Sequence, residues 1–293
     1  MINIDIRKSD KIKDEYSCFI SFSYTPNIIQ ELRNYPVRYY HPDIKSWEIP
    51  LDKLDDFRSK FENFEINLTG NTKAITKKTD IKLPEGFKFK TKPYSYQIDG
   101  VNYGLNHDKW FLGDSMGLGK SKQAIDIAVA RKIQYGYKHC LIVCGVNTLK
   151  WNWIQEISIH SNEKGWILGQ KYKKTRIVIG STKDKIEDLN TLNSNNAYFI
   201  ITNVESFRDE TISKTIKDLC DKDIINMCVL DEAHKIKNPS SQQSKGFLKC
   251  QPQCRIAMTG TPLMNSPLDL YVILKWLGYE QHPFYSFKKY YCV

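Results

Sequence analysis

Nine residues, "GDSMGLGKS" at 113–121, hold what a phosphate-binding loop needs. Glycines let backbone N–H groups turn toward phosphate oxygens, and a helix that starts at once adds the favourable end of its dipole. A lysine then reaches the outer phosphates and a hydroxyl ligates Mg²⁺. Gly117, Leu118, Gly119, Lys120 and Ser121 supply these in order. Asp114 stands where the usual first glycine of such a loop is found. A plain glycine turn capping a helix would look the same in isolation.

A second cluster, "MCVLDEAHKIKN", sets Asp231 and Glu232 just past an apolar strand, about 110 residues downstream. Nucleotide hydrolysis needs one acid to hold a metal's water shell and a base to orient the attacking water. Adjacent residues at a strand's end can do both, because successive side chains diverge. The two clusters together assign Lys120, Asp231 and Glu232 as catalytic candidates, with Ser121 and Asp231 on Mg²⁺.

The elements around these residues suit the task. "KWFLGD" is apolar enough for a short strand and "SKQAIDIAVA" begins a helix, giving strand, loop and helix in order. Apolar strands at 140–145, 176–180, 197–202, 227–232 and 255–260 alternate with helical stretches at 121–136 and 151–160. Continuous apolar strands between amphipathic helices predict a parallel sheet buried on both faces, an α/β fold.

From Pro93 to Val293 the chain resembles the first RecA-like lobe of an Snf2-family ATPase of helicase superfamily 2. "YSYQIDGVNYGL" (94–105) resembles the glutamine motif, "GDSMGLGKS" motif I, "LIVCGVNTLKWNWIQEI" (141–157) motif Ia and "ITNVESFR" (201–208) motif Ib. "VLDEAHKIKNPSSQ" (229–242) resembles motif II with the family's tail, and "AMTGTPLMNSPLDLY" (257–271) resembles motif III. In this family Asp114 is the normal residue. The departures are Ser115 for glutamate, Ser121 for threonine, and Gly145-Val146-Asn147 for a proline-containing turn. The "GLGK" and "TGTP" forms fit this group better than strand-separating helicases.

The resemblance implies ATP with Mg²⁺, and Gln97 on the adenine. It implies coupling of nucleotide state through His234, Thr259, Gly260 and Thr261. It also implies sequence-independent contacts to the phosphates of double-stranded or forked DNA from Thr148, Lys150, Asn203 and Arg208. For Trp151 and Trp153 helix packing is preferred to base stacking, Trp153 and Ile157 lying i,i+4. Such motors need a second RecA-like lobe with an arginine finger. The sequence stops soon after motif III, so a truncated motor with little turnover alone, and a monomer, is expected. The competing reading is a DNA- or protein-binding module with vestigial ATPase machinery; intact Lys120 and Glu232 speak against it.

Ahead of this lobe, residues 1–70 read as a small α+β domain and 71–92 as a lysine-rich linker, with a short strand near Phe87–Phe89. "CFISFSY" alternates as a strand, "PNIIQELRNY" starts a helix at its proline, and "VRYYHPDIKSWEIP" reads as a hairpin before a short helix at Leu51–Phe61. The hairpin and helix are similar to the HARP module of annealing-helicase-like Snf2 proteins.

Composition bounds these readings. The chain has 293 residues, 43 basic against 33 acidic, for a net charge of +10. That excess favours a polyanionic partner without demanding one. No apolar run approaches the ~20 residues that span a bilayer, so a soluble cytoplasmic protein with no membrane partner is expected. Abundant isoleucine, asparagine and lysine point to an AT-rich bacterial or viral genome. Eight cysteines form no Cys-x-x-Cys pair, and Cys140 and Cys144 bracket "LIV" as buried strand thiols.

Overall fold

The computed structural model describes residues 1–11, 16–61, 63–72, 83–173, 176–192, 196–261 and 266–291. Part of the expected linker (73–82), four residues of the motif III stretch (262–265) and the last two residues lie outside them. The chain divides into two compact units, Met1–Asp80 and Ile81–Val293.

In the first unit, Ile2, Ile4 and Ile6 alternate along β1 (Ile2–Lys8) and are all fully buried. Next come β2 (Tyr16–Phe22), α1 (Pro26–Asn34), β3 (Tyr39–His41), β4 (Ser46–Pro50), α2 (Leu54–Lys60) and β5 (Ile66–Gly70). The sheet order is β3-β4-β2-β1-β5, antiparallel except for the β1–β5 pair. Ile28 and Leu32 of α1 and Phe57 of α2 pack on the isoleucines of β1, with Cys18, Ile20 and Ile49. The expected hairpin is β3–β4, with Lys45 in the left-handed region at φ 47°. Strands β1 and β5 were not read from the sequence.

The second unit is built on a six-stranded sheet, ordered β6-β13-β12-β7-β11-β8, with every pair parallel. Its elements run α3 (Ser95–Asn106), β6 (Lys109–Leu112), α4 (Lys120–Tyr135), β7 (His139–Cys144), α5 (Leu149–His160), β8 (Gly165–Ile167), β9 (Gln170–Lys173), β10 (Arg176–Ile179), α6 (Thr182–Asn190) and β11 (Phe199–Asn203). They continue with α7 (Glu210–Asp221), β12 (Ile225–Leu230), α8 (Gln242–Phe247), β13 (Cys254–Met258), α9 (Tyr271–Leu277) and α10 (Phe284–Tyr291).

The central strands are apolar throughout because each face meets its own core. On β7, Cys140, Ile142 and Cys144 join one core with residues of α3, α4 and α5; Leu141 and Val143 join the other with α6, α7, α9 and α10. The two thiols are buried strand residues.

Three expectations change. "RIVIG" is outside the main sheet: β10 pairs antiparallel with β9, its residues only half-covered, and Gly165–Ile167 supplies the edge strand instead. A run of three apolar residues does not say which partner it takes. Phe87–Phe89 is not a strand; Phe87 is buried and packs edge-on to Phe89 against the second unit's core. The helix expected to be amphipathic, α4, buries Lys122, Gln123, Asp126 and Arg131 along with its apolar residues. Burial is tolerated because Lys122 pairs with Asp126 at 2.7 Å, while Arg131 bonds Asp108 and the carbonyls of Gly104 and His107.

Candidate nucleotide site and adjoining loops

Parallel strands deliver all their C-terminal loops to one edge of the sheet, where ligands of open α/β folds bind. Along that edge the order is the 113–119 loop after β6, Thr259 after β13, Asp231 after β12, Gly145 after β7 and the 3₁₀ turn Val204–Arg208 after β11. The middle position of β13 between β6 and β12 sets motif III between the glycine loop and the acidic pair.

The loop itself is held from three sides. Gly117 and Gly119 take φ of 83° and 73°, which only glycine adopts without strain. The Lys120 ammonium donates to the Asp114 and Ser115 carbonyls at 2.8 and 3.1 Å. Gln123 Nε2 donates to Asp114 Oδ2 at 2.9 Å, which is the work Asp114 does here. Gln97 is buried, its Nε2 donating to the Leu118 carbonyl at 3.2 Å and its Oε1 accepting from Tyr94 N–H. A Cβ on Gly119 would stand 2.4 Å from Gln97 Nε2, so this approach needs glycine for space as well as for φ. Ser121 lies half-buried in the first turn of α4. Ser115 is exposed, and nothing in the structure explains its replacing a carboxylate.

Beyond β12, Asp231 N–H donates to the Val143 carbonyl, extending the strand pairing by one residue. Its carboxylate accepts from Trp153 Nε1 at 3.0 Å and from Glu232 N–H at 2.9 Å. Burial pushes the Asp231 carboxyl up from its ordinary range, aided by the neighbouring Glu232 charge and opposed by the Trp153 bond and Lys120. Glu232 sits at φ 50°, a left-handed conformation that turns the chain sharply into the 3₁₀ turn Ala233–Ile236. Gly145 permits this: its Cβ would lie 2.6 Å from Glu232 Cβ.

His234 Nδ1 meets Glu232 Oε2 at 3.2 Å and Thr259 Oγ1 at 3.2 Å, and Thr259 Oγ1 lies 3.5 Å from that carboxylate. Thr261 N–H donates back to Thr259 Oγ1 at 3.1 Å. Burial holds the His234 imidazole below its ordinary value, although Glu232 pulls the other way. On the other flank, a Cβ on Gly260 would lie 2.8 Å from Met116 Cγ and 3.6 Å from Lys120 Nζ. Motif III therefore adjoins the loop lysine on one side and Glu232 on the other.

The four residues expected on phosphates divide. Thr148 and Arg208 are exposed, Arg208 donating through Nε and Nη2 to Gln243 Oε1. Lys150 and Asn203, in contrast, are about 5% exposed or less. Asn203 ends β11 and bonds Glu205 and Ser206, while Lys150 is buried in the first turn of α5. Burial, with Lys185 nearby, holds the Lys150 ammonium below its ordinary value. Trp153 is buried as expected of a packing residue, but its bond to Asp231 was not foreseen; Trp151 is exposed.

A glycine loop opening a helix, with an acidic pair two strands away on a parallel sheet, defines a P-loop nucleotide-binding unit of RecA-like fold. The SNF2-related domain profile matches residues 96–291, and the chain belongs to that family as its N-terminal ATPase lobe. The chain is similar to "Protein CHROMATIN REMODELING 20" of Arabidopsis thaliana, 27% identical over 216 residues, covering 70% of this chain and 14% of that protein. It is similar too to "DNA annealing helicase and endonuclease ZRANB3" of Mus musculus, 27% identical over 197 residues, covering 65% and 16%. The fold matches the Sulfolobus solfataricus SWI2/SNF2 ATPase core in complex with dsDNA, with TM-score 0.54, 24% identity, and coverage of 71% of this chain and 40% of that one. The chain thus spans a minor part of each of these proteins. Among the described residues no helix is long and apolar enough to cross a membrane.

Proposed function

We propose that this chain is the ATP-binding first lobe of an ATP-driven motor that moves along double-stranded DNA, of the remodelling or annealing type. One juxtaposition carries the reading: Thr259 and Gly260 stand between Glu232 and Lys120, so a single loop senses both ends of a bound triphosphate. The Gly117–Gly119 amides and Lys120 hold the β/γ-phosphates, which requires the ammonium to leave the two loop carbonyls it now bonds. Gln97, buried behind the loop, is the residue read as meeting the adenine, a role that requires its amide to leave the Leu118 carbonyl or Tyr94 N–H it now bonds. Glu232 takes the proton of the lytic water.

The residues fit Mg²⁺. Asp231 is a carboxylate destabilised by burial and by Glu232, a deficit that a divalent cation relieves. The Ser121 hydroxyl and Asp231 would hold it, and bound Mg²⁺ supplies charge neutralisation at the phosphates. Hydrolysis shifts the Glu232–His234–Thr259 contacts, and Thr261 transmits the change. Phosphate contacts from Thr148 and Arg208 carry no sequence information. The first unit we read as HARP-like, supported by the β3–β4 hairpin, its Tyr40–Trp47 ring contact and the helix α2 that follows.

The test is nucleotide binding and hydrolysis with and without a duplex, for the wild type, Lys120→Ala and Glu232→Gln. MgATP binding that Lys120→Ala weakens and Glu232→Gln retains is expected, with turnover lost in the latter. Absent MgATP binding, or binding indifferent to Lys120→Ala, would overturn the reading. Fast DNA-stimulated turnover by the chain alone would show that a second lobe is supplied in trans.

A further inference from the structure

The motif II tail "KIKNPSSQ" has no task in the nucleotide site, yet it builds one wall of a cavity of about 600 Å³. Arg208, after β11, forms the facing wall. Gln243 fastens the two together: its Oε1 accepts from Arg208 and its Nε2 donates to the Lys235 carbonyl at 2.9 Å. Gly246 keeps α8 close, since a Cβ there would stand 2.0 Å from the Phe207 carbonyl.

The charge in this cavity is one-sided. Arg208, His234, Lys235 and Lys237 line it together with amides and hydroxyls, and no carboxylate does so among the described residues. Lys237 is partly compensated by Asp269 at 3.4 Å. Among the described residues Arg208 is held by a neutral carboxamide and no carboxylate, through Nε and Nη2. Lys235 is exposed, and its ammonium makes no ion pair among the described residues. The walls thus offer a guanidinium and an ammonium to one ligand, while the Ser241 hydroxyl is spent on Asn238 and Ser244 at the start of α8.

We propose that this cavity seats a backbone phosphate of the nucleic acid, with Lys235 and Arg208 as its principal cations and Gln243 as the residue that positions them. The inference rests on the DNA-motor reading and extends it to a residue, Lys235, outside the loops after β7 and β11. A backbone phosphate fits better than a free anion: the cavity is open to solvent, and its Arg208 and the exposed Thr148 follow the neighbouring strands β11 and β7. His234 lines the same cavity and touches Thr259, so the seat adjoins the hydrolytic carboxylate by one side chain.

The experiment is fluorescence anisotropy of a labelled 30-bp duplex against salt concentration, using the whole chain. Lys235→Gln, Gln243→Ala and Lys222→Gln are compared with wild type, Lys222 lying before β12 at the opposite edge of the sheet. One lost phosphate contact lowers the slope of log K against log salt by about 0.9, which is roughly an eightfold loss at 0.1 M salt. Lys235→Gln should show both changes, Gln243→Ala a smaller loss, and Lys222→Gln neither. Duplex binding that Lys235→Gln leaves unchanged in slope would overturn the proposal and leave the DNA reading standing. Equal losses for Lys222→Gln would reduce the effect to overall charge and also overturn it. No duplex binding by wild type at low salt would sink both. Tighter binding of polyglutamate, sensitive to Lys235→Gln, would reassign the cavity to an acidic protein segment.

Discussion

Replacing Trp153 with phenylalanine tests the contact that ties the helix face of the core to the metal-site candidate. Trp153 is 2% exposed, and its Nε1–H is 3.0 Å from Asp231 Oδ2. A hydrogen bond to a charged acceptor contributes about 1.5–3 kcal/mol, because its loss leaves a desolvated carboxylate short of a donor. The smaller ring adds about 1 kcal/mol through imperfect packing. The two contributions separate in a double-mutant cycle with Asp231→Ala. Only the hydrogen bond appears as coupling, so Trp153→Phe should cost about 1.5–3 kcal/mol less in the Asp231→Ala background. For a domain of this size that is about 3–12 °C in Tm. Urea and thermal unfolding followed by far-UV circular dichroism give the four stabilities. The bond also fixes the position of the Asp231 carboxylate, so Trp153→Phe should weaken MgATP binding and leave metal-free nucleotide binding nearly unchanged. Equal costs in the two backgrounds, within about 0.5 kcal/mol, would show the indole to be packing alone and refute the reasoning.

Asp231→Asn should raise stability while abolishing Mg²⁺-dependent nucleotide binding. The folded Asp231 carboxyl is pushed above its unfolded value, so ionisation opposes folding as pH rises; the gain in Tm should appear at pH 8 and vanish near pH 4. His234 runs the other way. Its folded value is held below 6.5, so its neutral form's contribution is complete above 6.5 and fades as pH falls beneath it. His234→Gln should flatten that part of the Tm–pH curve relative to wild type. Gly246→Ala forces a Cβ to within 2.0 Å of the Phe207 carbonyl and 2.6 Å of Ser213 Oγ. It should cost at least the 1–3 kcal/mol typical of overpacking, read as a drop in Tm, and should loosen the Arg208–Gln243 contact with it.

What the sequence made legible is what lies close together along the chain. The glycine loop is followed at once by its helix, and Asp231-Glu232 by its turn, so type and spacing carried both. The alternation in β7 and β12 was equally local, although assigning each strand's two faces to two separate cores needed the helices in place. Contacts between distant residues were hidden. Trp153 and Asp231 are 78 positions apart, and the pattern around Trp153 spoke only of Ile157 on its own helix. Lys150 was legible as a cation and not as a buried one, because burial depends on how α5 leaves β7. β1 shows the same limit from the other side: Ile2, Ile4 and Ile6 alternate plainly and β2 pairs with them nearby, but the partner on the other edge, β5, sets Ile66 beside Ile2. The basic cavity belongs to this class. Lys235 and Arg208 come from loops of strands that are not neighbours, with β7 between them, and Gln243 joins them. A motif tail recognised along the chain had to be folded against a second loop before its charge acquired a direction.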